Sequence, residues 1–220
     1  MPLERELKRT PADPALLERL EALDQLGPFA VVARRREWQR NAFFDTPTRA
    51  LRAARLAFRR RTLAGSRLAA WTLKGEGLTA RGIAARPEVE LRLDADTPPA
   101  LVLAVLGRAA RERKSVALAE QLADALAGSP PPLTEPYLEL ETDRRLLQLE
   151  AATEGWAAEM ALDRVRMVGH QYAEAEIEVE LRRGDDEALE AARTAIAALG
   201  AVQPATGSKL SRALAHQRGP

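Results

Sequence analysis

The densest candidate chemistry in the sequence is a run of four glutamates that alternates with apolar residues over 174–180. Residues i, i+2 and i+4 share one face of a β-strand, so the alternation places four carboxylates on one face and Ala175, Ile177 and Val179 on the other. Successive carboxylates on that face lie about 6.5–7 Å apart, and they repel one another unless cations lie nearby. Such oxygen-only ligands suit Mg²⁺ or Mn²⁺.

One-sided charge recurs in other candidate strands. Charged or polar residues share a face in each of the following sets: Glu4, Glu6 and Lys8; Arg59 and Arg61; Thr72 and Lys74; Arg86, Glu88 and Glu90; Glu159 and Asp163. A solvated face of an antiparallel sheet explains any one of these strands. Acids and bases gathered on different strands favour instead a charged interior, where carboxylates bind a metal and Arg and Lys bind phosphate. A polyanion carrying a divalent metal is the ligand that suits both groups.

The elements that must position these residues are short strands followed by helices. Strands are predicted at 3–9, 29–37, 39–45, 55–61, 69–74, 86–93, 137–149, 156–165 and 171–182, and helices at 14–26, 98–111, 115–126, 185–199 and 208–216. Short turn segments between consecutive strands imply antiparallel pairing. We therefore predict an α+β fold with about eight strands, closed into an antiparallel β-barrel with helices packed outside. An open twisted sheet is the alternative.

Composition excludes several classes of protein. Lys plus Arg is 33 and Asp plus Glu is 32, a balance that argues against coating of nucleic acid. The absence of cysteine excludes a disulfide scaffold, a thiolate zinc site and a cysteine nucleophile, and the two histidines argue against a His-rich metal site. The first eight residues lack the apolar stretch of a secretory signal, so we expect none, and no run of about 18 apolar residues occurs. We expect a cytoplasmic protein with no nucleic-acid or membrane partner, and the sequence indicates no oligomeric state.

The charged motifs resemble those of the CYTH superfamily, the triphosphate tunnel metalloenzymes. They occur in the family's order: Glu4-Arg5-Glu6-Leu7-Lys8 for E-x-E-x-K, Phe44-Asp45-Thr46-Pro47, Leu56-Ala57-Phe58-Arg59, Thr72-Leu73-Lys74, Arg86-Pro87-Glu88, Leu162-Asp163, Glu176-Ile177-Glu178-Val179-Glu180 and Gly207-Ser208-Lys209. Three of the four lysines fall on these motifs. The chain is most similar to the bacterial inorganic triphosphatase branch. The resemblance implies one domain over 1–220, built as an eight-stranded tunnel.

The resemblance also implies site residues and a metal cofactor, Mg²⁺ or Mn²⁺. The implied metal ligands are Glu4, Glu6, Glu176, Glu178 and Glu180. The implied catalytic residues are Glu4, Glu6, Lys8, Glu88 and Asp163. The implied binders of triphosphate or polyphosphate are Lys8, Arg59, Arg61, Lys74, Arg86, Lys209 and one of Arg144 and Arg145. Ala57 stands where the family often has an arginine, and Arg55 or Arg61 is the expected substitute.

The resulting functional prediction is metal-dependent hydrolysis of inorganic triphosphate to diphosphate and phosphate. Thiamine triphosphatase and class IV adenylate cyclase activities share the implied architecture and are alternatives. A non-catalytic polyphosphate-binding module is a further alternative, and intact Glu4, Glu6, Glu178 and Glu180 count against it.

Overall fold

A computed structural model describes residues 5–75, 78–80, 83–85, 87–112, 115–128 and 130–217. Its strands are β1 Glu6–Pro11, β2 Gln25–Leu26, β3 Phe29–Phe44, β4 Ala57–Leu63, β5 Leu68–Lys74, β6 Leu78–Ala80, β7 Ile83–Ala85, β8 Glu88–Asp94, β9 Leu138–Ala151, β10 Trp156–Met167, β11 Ala173–Arg183 and β12 Val202–Pro204. Its helices are α1 Leu16–Glu21, α2 Ala50–Ala53, α3 Pro99–Glu112, α4 Val116–Leu126, α5 Asp186–Leu199 and α6 Lys209–Gln217. None of the described helices is long and apolar enough to cross a membrane.

The chain divides into two compact units. The described part of the first unit lies within Gln39–Leu78 and Ala85–Glu141, and that of the second within Glu4–Trp38, Thr79–Ala84 and Thr142–Pro220. The first unit buries a core around Trp71 between β4, β5, β8, α3 and α4. The second buries a core between β1, β10 and β11 on one side and α1 and α5 on the other. The prediction of one domain over 1–220 stays a prediction.

The strands pair in an open order rather than in the predicted closed eight-stranded barrel. Within the described residues the order is β6-β7-β1-β11-β10-β9-β3-β4-β5-β8, with β12 beside β1 and β2 beside β3. The pairing of consecutive long strands is antiparallel, as the short turns predicted. The predicted count was wrong because β2, β6, β7 and β12 are two or three residues long, too short to show the period-two alternation that identifies a strand.

Two element boundaries also differ from the prediction. The strands expected at 29–37 and 39–45 form the single strand β3, since Trp38 between them is a strand-favouring residue and no Gly or Pro interrupts the run. The helix expected over 14–26 ends at Glu21, and Gln25–Leu26 pairs with the start of β3. The spacing of apolar residues in so short a segment is compatible with either a helix or a strand, so it does not locate the end of the helix.

Helix α6 begins at a lysine because the preceding serine caps it. The Ser208 backbone N–H donates to Ser211 Oγ at 2.8 Å, and the Ser211 N–H donates to Ser208 Oγ at 3.1 Å. This reciprocal arrangement is that of a capping box. Gly207, with φ of 71°, supplies the left-handed turn before it. Ala213 and Leu214 are buried and anchor the helix. The cap and this burial together fix the position of Lys209, the first residue of α6.

Candidate metal and phosphate site

The four glutamates of β11 share one face, and the middle two are withdrawn from solvent. Ile177 and Val179 on the opposite face are fully buried in the core of the second unit. The Glu176 side chain is 1% exposed and that of Glu178 is 15% exposed. Both faces of the strand are thus covered at its centre, and the solvated-face interpretation is wrong for these two carboxylates.

Strand register brings further charged residues beside them. In the antiparallel β10–β11 pair Asp163 lies opposite Glu176, and in the β1–β11 pair Lys8 lies opposite Glu178. Residues directly opposite in neighbouring strands project to the same face and lie about 4.5–5.5 Å apart at Cβ. The two flanking strands therefore add a third interior carboxylate and a first cation to the face that carries the glutamates.

Lys209 is inserted among the three carboxylates from the start of α6. Its Nζ lies 3.0 Å from Asp163 Oδ2 and 2.9 Å from Glu178 Oε1, and it also donates to Glu176 Oε1. The Lys209 side chain is 18% exposed, and that of Asp163 is fully buried. One ammonium therefore neutralises part of the charge of all three acids. We call Asp163, Glu176 and Glu178 the carboxylate triad.

Arg144 supplies a planar cation to the same cluster. Its Nε and Nη2 donate to the two oxygens of Asp163 at 2.8 and 2.6 Å, and Nη2 also donates to Glu178 at 2.6 Å. Arg145, on the alternate face of β9, forms an ion pair with Glu21 instead. Of the two arginines between which the sequence did not distinguish, the structure brings Arg144 to the cluster.

Arg212, which the sequence analysis did not single out, completes the cluster. Its guanidinium donates to both oxygens of Glu174, at 2.6 and 2.9 Å, and to Glu176. The Tyr172 hydroxyl also donates to Glu174, at 2.7 Å. The sequence does contain a signal for Arg212, because a residue three positions after Lys209 in a helix lies on nearly the same face.

The first strand contributes Glu6 together with Lys8. The Lys8 Nζ lies 3.0 Å from Glu6 Oε1 and 3.1 Å from Glu178 Oε1. Glu180, predicted as a metal ligand, accepts a hydrogen bond from Arg182 at 2.6 Å, and its side chain is 30% exposed. Glu6 thus belongs to the buried network, whereas Glu180 lies at its more exposed end.

The cations dominate the protonation of two of the acids. Burial alone would raise the pKa of Glu178, but the neighbouring ammonium groups of Lys209 and Lys8 hold that pKa well below its usual range. Burial likewise opposes ionisation of Asp163, and Lys209 and Arg144 nevertheless lower the pKa of its carboxyl. Both acids are therefore ionised at neutral pH.

The remaining members behave differently. Burial raises the pKa of Glu176 above its ordinary value, despite the opposing effect of Lys209. Burial would lower the pKa of Lys209, but the attraction of Glu178 and the other two triad carboxylates raises it. The ammonium therefore remains protonated throughout the physiological range, while Glu176 is the most basic carboxylate of the triad.

The carboxylate triad has the donor chemistry of a divalent metal site. One oxygen from each of Asp163, Glu176 and Glu178 lies within 4.8 Å of the others. Carboxylate oxygens are the ligands that Mg²⁺ and Mn²⁺ prefer, so the residues present fit such an ion. The triad shares Glu176 and Glu178 with the predicted ligand set and adds Asp163. Glu4 of that set lies outside the described residues.

The first unit carries its own polar strand face. Arg59 Nη2 donates to Thr72 Oγ1 at 3.2 Å, and Thr72 donates to Glu90 at 3.0 Å. Lys74 is paired with Glu88 across β5 and β8. These pairs agree with the predicted strand parity. Arg86, predicted as a further phosphate binder, lies outside the described residues.

The two arginines expected as substitutes for the one missing at Ala57 lie in different surroundings. Arg61 lies on the same face of β4 as Ala57 and Arg59, and its Nε donates to Asn41 Oδ1 at 3.0 Å. Arg55 precedes the strand with φ of 56°, in the turn that follows α2. The strand alternation therefore gives Arg61, rather than Arg55, a fixed place on the polar face.

Arg60 lies on the face of β4 opposite to Arg59 and Arg61, and it is partly buried. Its guanidinium lies over the rings of Phe44 and Trp71, 5.5 and 5.6 Å from their centroids, and donates to the Ala95 carbonyl at 3.0 Å. The aliphatic stem and planar head of arginine cover apolar rings well, and Arg60 accordingly covers the core of the first unit.

Comparison with known proteins gives a family and a set of similar folds. A family model described as the CYTH domain matches residues 3–214. No curated protein matches the sequence significantly.

Several solved structures have a similar fold over nearly the whole length of this chain. A candidate adenylyl cyclase from Hippeastrum, described as having a dominant triphosphatase activity, has 18% identity and a TM-score of 0.66, over 97% of this chain and 96% of that one. A candidate adenylate cyclase from Bacillus halodurans has 19% identity and a TM-score of 0.57, over 96% and 98%. A Pyrococcus horikoshii protein has 18% identity and a TM-score of 0.53, over 97% and 99%. At these identities the likeness concerns the fold.

Proposed function

Because this chain belongs to the CYTH domain family, we propose that it is a metal-dependent triphosphatase that hydrolyses inorganic triphosphate to diphosphate and phosphate. The observation that carries the proposal is the buried network of the second unit, in which Lys8, Arg144 and Lys209 surround the carboxylate triad. Buried ion pairs contribute little net stability compared with apolar packing. Stability alone therefore does not explain a buried network of this size, and ligand binding explains it better. Titratable groups with shifted pKa values gather in the same way at functional sites.

The described neighbours support the class of reaction. The Hippeastrum protein of the same fold is described as having a dominant triphosphatase activity. The Bacillus halodurans neighbour is described as a candidate adenylate cyclase, which would act on ATP. A cyclase is therefore the second candidate function, and comparison of triphosphate with ATP as substrates distinguishes the two.

The proposed roles follow from the contacts. A divalent cation bound by the carboxylate triad would neutralise phosphate oxygens and stabilise the charge that develops during transfer. Lys8 and Lys209 would donate hydrogen bonds to phosphate oxygens, and Asp163 holds the Arg144 guanidinium in a fixed orientation. Water attacks the terminal phosphorus, the bond from that phosphorus to the bridging oxygen breaks, and a network carboxylate accepts the proton.

The proposal also gives roles to residues of the first unit. Phosphate binding is assigned to Arg59, Arg61 and Lys74, and Glu88 would orient the ammonium of Lys74 with which it pairs. The roles predicted for Glu4 in metal binding and for Arg86 in phosphate binding are kept.

Phosphate release from inorganic triphosphate tests the proposal. Purified protein should release phosphate with Mg²⁺ or Mn²⁺, and EDTA should abolish the release. Binding of triphosphate without release would favour the non-catalytic polyphosphate-binding module. Release that EDTA does not reduce would contradict the metal-dependent chemistry.

A further inference from the structure

One ammonium occupies the place that a metal ion would take. The triad oxygens that suit a divalent cation lie within 4.8 Å of one another, and Lys209 Nζ makes a contact of 3.0 Å or less with each of the three carboxylates. The chain therefore supplies its own cation to the carboxylate triad.

The other two cations of the network contact fewer triad members. Within the described residues, Lys8 pairs with Glu178 and with Glu6, and Arg144 pairs with Asp163 and Glu178. A divalent ion on the oxygens that Lys209 contacts would leave Lys8 paired with Glu6, and would leave Arg144 hydrogen-bonded to Asp163 Oδ1 and Glu178 Oε2. It would compete with Lys209 for the same oxygens, and two like charges within about 4 Å repel strongly at low dielectric.

The attachment of α6 allows Lys209 to leave without the helix. Arg212 holds α6 to β11 through Glu174 and Glu176, and Ala213 and Leu214 are buried. The lysine side chain has a flexible four-carbon stem with rotatable bonds. Its ammonium can therefore move by side-chain rotation while the backbone of α6 stays docked.

We propose that the Lys209 ammonium is the resident counterion of the carboxylate triad, and that a divalent cation binds there by displacing it. The displaced ammonium is then free to donate to a phosphate oxygen. Metal entry and the release of a phosphate-binding group are thus one event. This inference rests on the metal site of the proposed function.

The first test measures metal affinity without substrate or turnover. Mn²⁺ is titrated into the protein, and the free ion is followed by its paramagnetic resonance signal. Lys209→Met should bind Mn²⁺ at least about tenfold more tightly than the wild type, a difference of about 1.4 kcal/mol. Arg164→Met is the matched control. Arg164 follows Asp163 in the sequence but lies on the opposite face of β10, where it pairs with Glu18. The Arg164→Met variant should bind Mn²⁺ as tightly as the wild type does.

The outcomes separate this inference from the proposed function. Equal or weaker Mn²⁺ binding by a folded Lys209→Met variant would overturn displacement and leave the metal site standing. Absence of Mn²⁺ binding by every variant and by the wild type would reject the metal site itself, and displacement with it.

A second test uses the wild-type chain and does not depend on a variant that folds. The sequence has four lysines, so ¹⁵N-lysine labelling gives few ammonium resonances, and Lys209→Arg assigns the one of interest. A buried, hydrogen-bonded ammonium should give an observable signal in metal-free protein. Saturating Mg²⁺ should shift or abolish the Lys209 signal and leave that of Lys74 in place. An unchanged Lys209 signal at Mg²⁺ saturation would overturn the proposal.

Discussion

Lys209 and Arg212 donate hydrogen bonds to opposite oxygens of the same carboxylate, that of Glu176. The two basic residues lie three positions apart on α6, and Arg212 also grips Glu174 with two hydrogen bonds. Glu176 is therefore fixed from both sides. Through it, the position of one basic side chain depends on the other.

Arg212→Ala should weaken both stability and turnover. Removing one partner of a buried ion pair leaves a buried charge uncompensated, which costs about 3–5 kcal/mol. We expect a loss of about 3 kcal/mol in the free energy of unfolding, measured by urea denaturation. We also expect kcat for triphosphate to fall by at least about tenfold because Glu176 and Lys209 lose their fixed geometry. Arg212→Lys should not restore either, since lysine cannot form the two-pronged contact with Glu174. Full rescue by lysine would contradict the positioning role.

Glu178→Gln should abolish Mg²⁺-dependent turnover and lower stability as well. Glu178 is a triad carboxylate and the partner of Lys8, Arg144 and Lys209, so its neutralisation leaves several cations with less compensation. Glu190→Gln is the control, because Glu190 forms an exposed ion pair with Arg193 within α5, and solvent screens exposed pairs of that kind so that they contribute little to stability. Wild-type turnover with full Mg²⁺ dependence in Glu178→Gln would refute the assignment of the metal site.

The network should make stability fall in acid. The pKa values of Asp163 and Glu178 are lower in the folded protein, since cations outweigh burial. Their contribution is complete above their unfolded pKa values, about 3.9 and 4.3, and is lost as pH falls through the folded values. Glu176 acts in the opposite direction, because burial raises its pKa and its contribution is lost as pH rises.

Urea denaturation at a series of pH values measures this balance. The wild-type free energy of unfolding should decrease from about pH 5 downward, and the decrease should be less steep in Asp163→Asn, which lacks one titrating carboxyl. Identical slopes in the two proteins would show that Asp163 does not carry the effect.

Substitutions of the neighbouring residues Arg59 and Arg60 should have different effects, the first on kinetics and the second on stability. Arg59→Ala, on the polar face of β4, should raise KM or lower kcat by at least about tenfold. Arg60→Ala should lower the free energy of unfolding with little change in KM, because Arg60 covers Phe44 and Trp71. Steady-state kinetics and urea denaturation of both variants decide the matter. A larger kinetic defect in Arg60→Ala would contradict the assignment of the phosphate-binding face.

Inorganic triphosphate should be preferred over ATP in kcat/KM. Phosphate binding is proposed for Lys8 and Lys209 in the second unit and for Arg59 in the first, and triphosphate offers charged groups at both ends. A nucleoside replaces one charged end with bulk, so the binding energy that aligns the scissile bond falls. Phosphate release from both substrates at the same Mg²⁺ concentration provides the measurement. An equal or higher kcat/KM for ATP would favour a nucleotide-directed activity.

The sequence predicts much of this site because β-strands impose a simple period. Alternation placed Glu176 and Glu178 on one face, and the motif resemblance added Lys8, Asp163 and Lys209; the structure brings all five together. The family assignment is confirmed by the CYTH match over residues 3–214. Strand parity also separated Arg59 from Arg60 correctly.

The rest depends on tertiary contacts that no local pattern records. The choice between Arg144 and Arg145 required the pairing register of β9, which the sequence pattern of that strand does not fix. The role of Arg212 depends on how α6 packs against β11, and the order of the strands depends on pairings between distant segments. The partial burial of Arg60 likewise depends on aromatic rings that come from β3 and β5.

The charged network joins distant parts of the sequence, with Lys8 on β1, the triad on β10 and β11, and Lys209 on α6. Contacts of such long sequence separation form late in folding because the loop-closure entropy must be paid first. During synthesis, β10 and β11 emerge after Lys8 and Arg144 but before Lys209. The triad therefore lacks one of its cations until the C-terminal helix has docked, and the ammonium that a metal would have to displace is among the last parts of the network that the folding chain acquires.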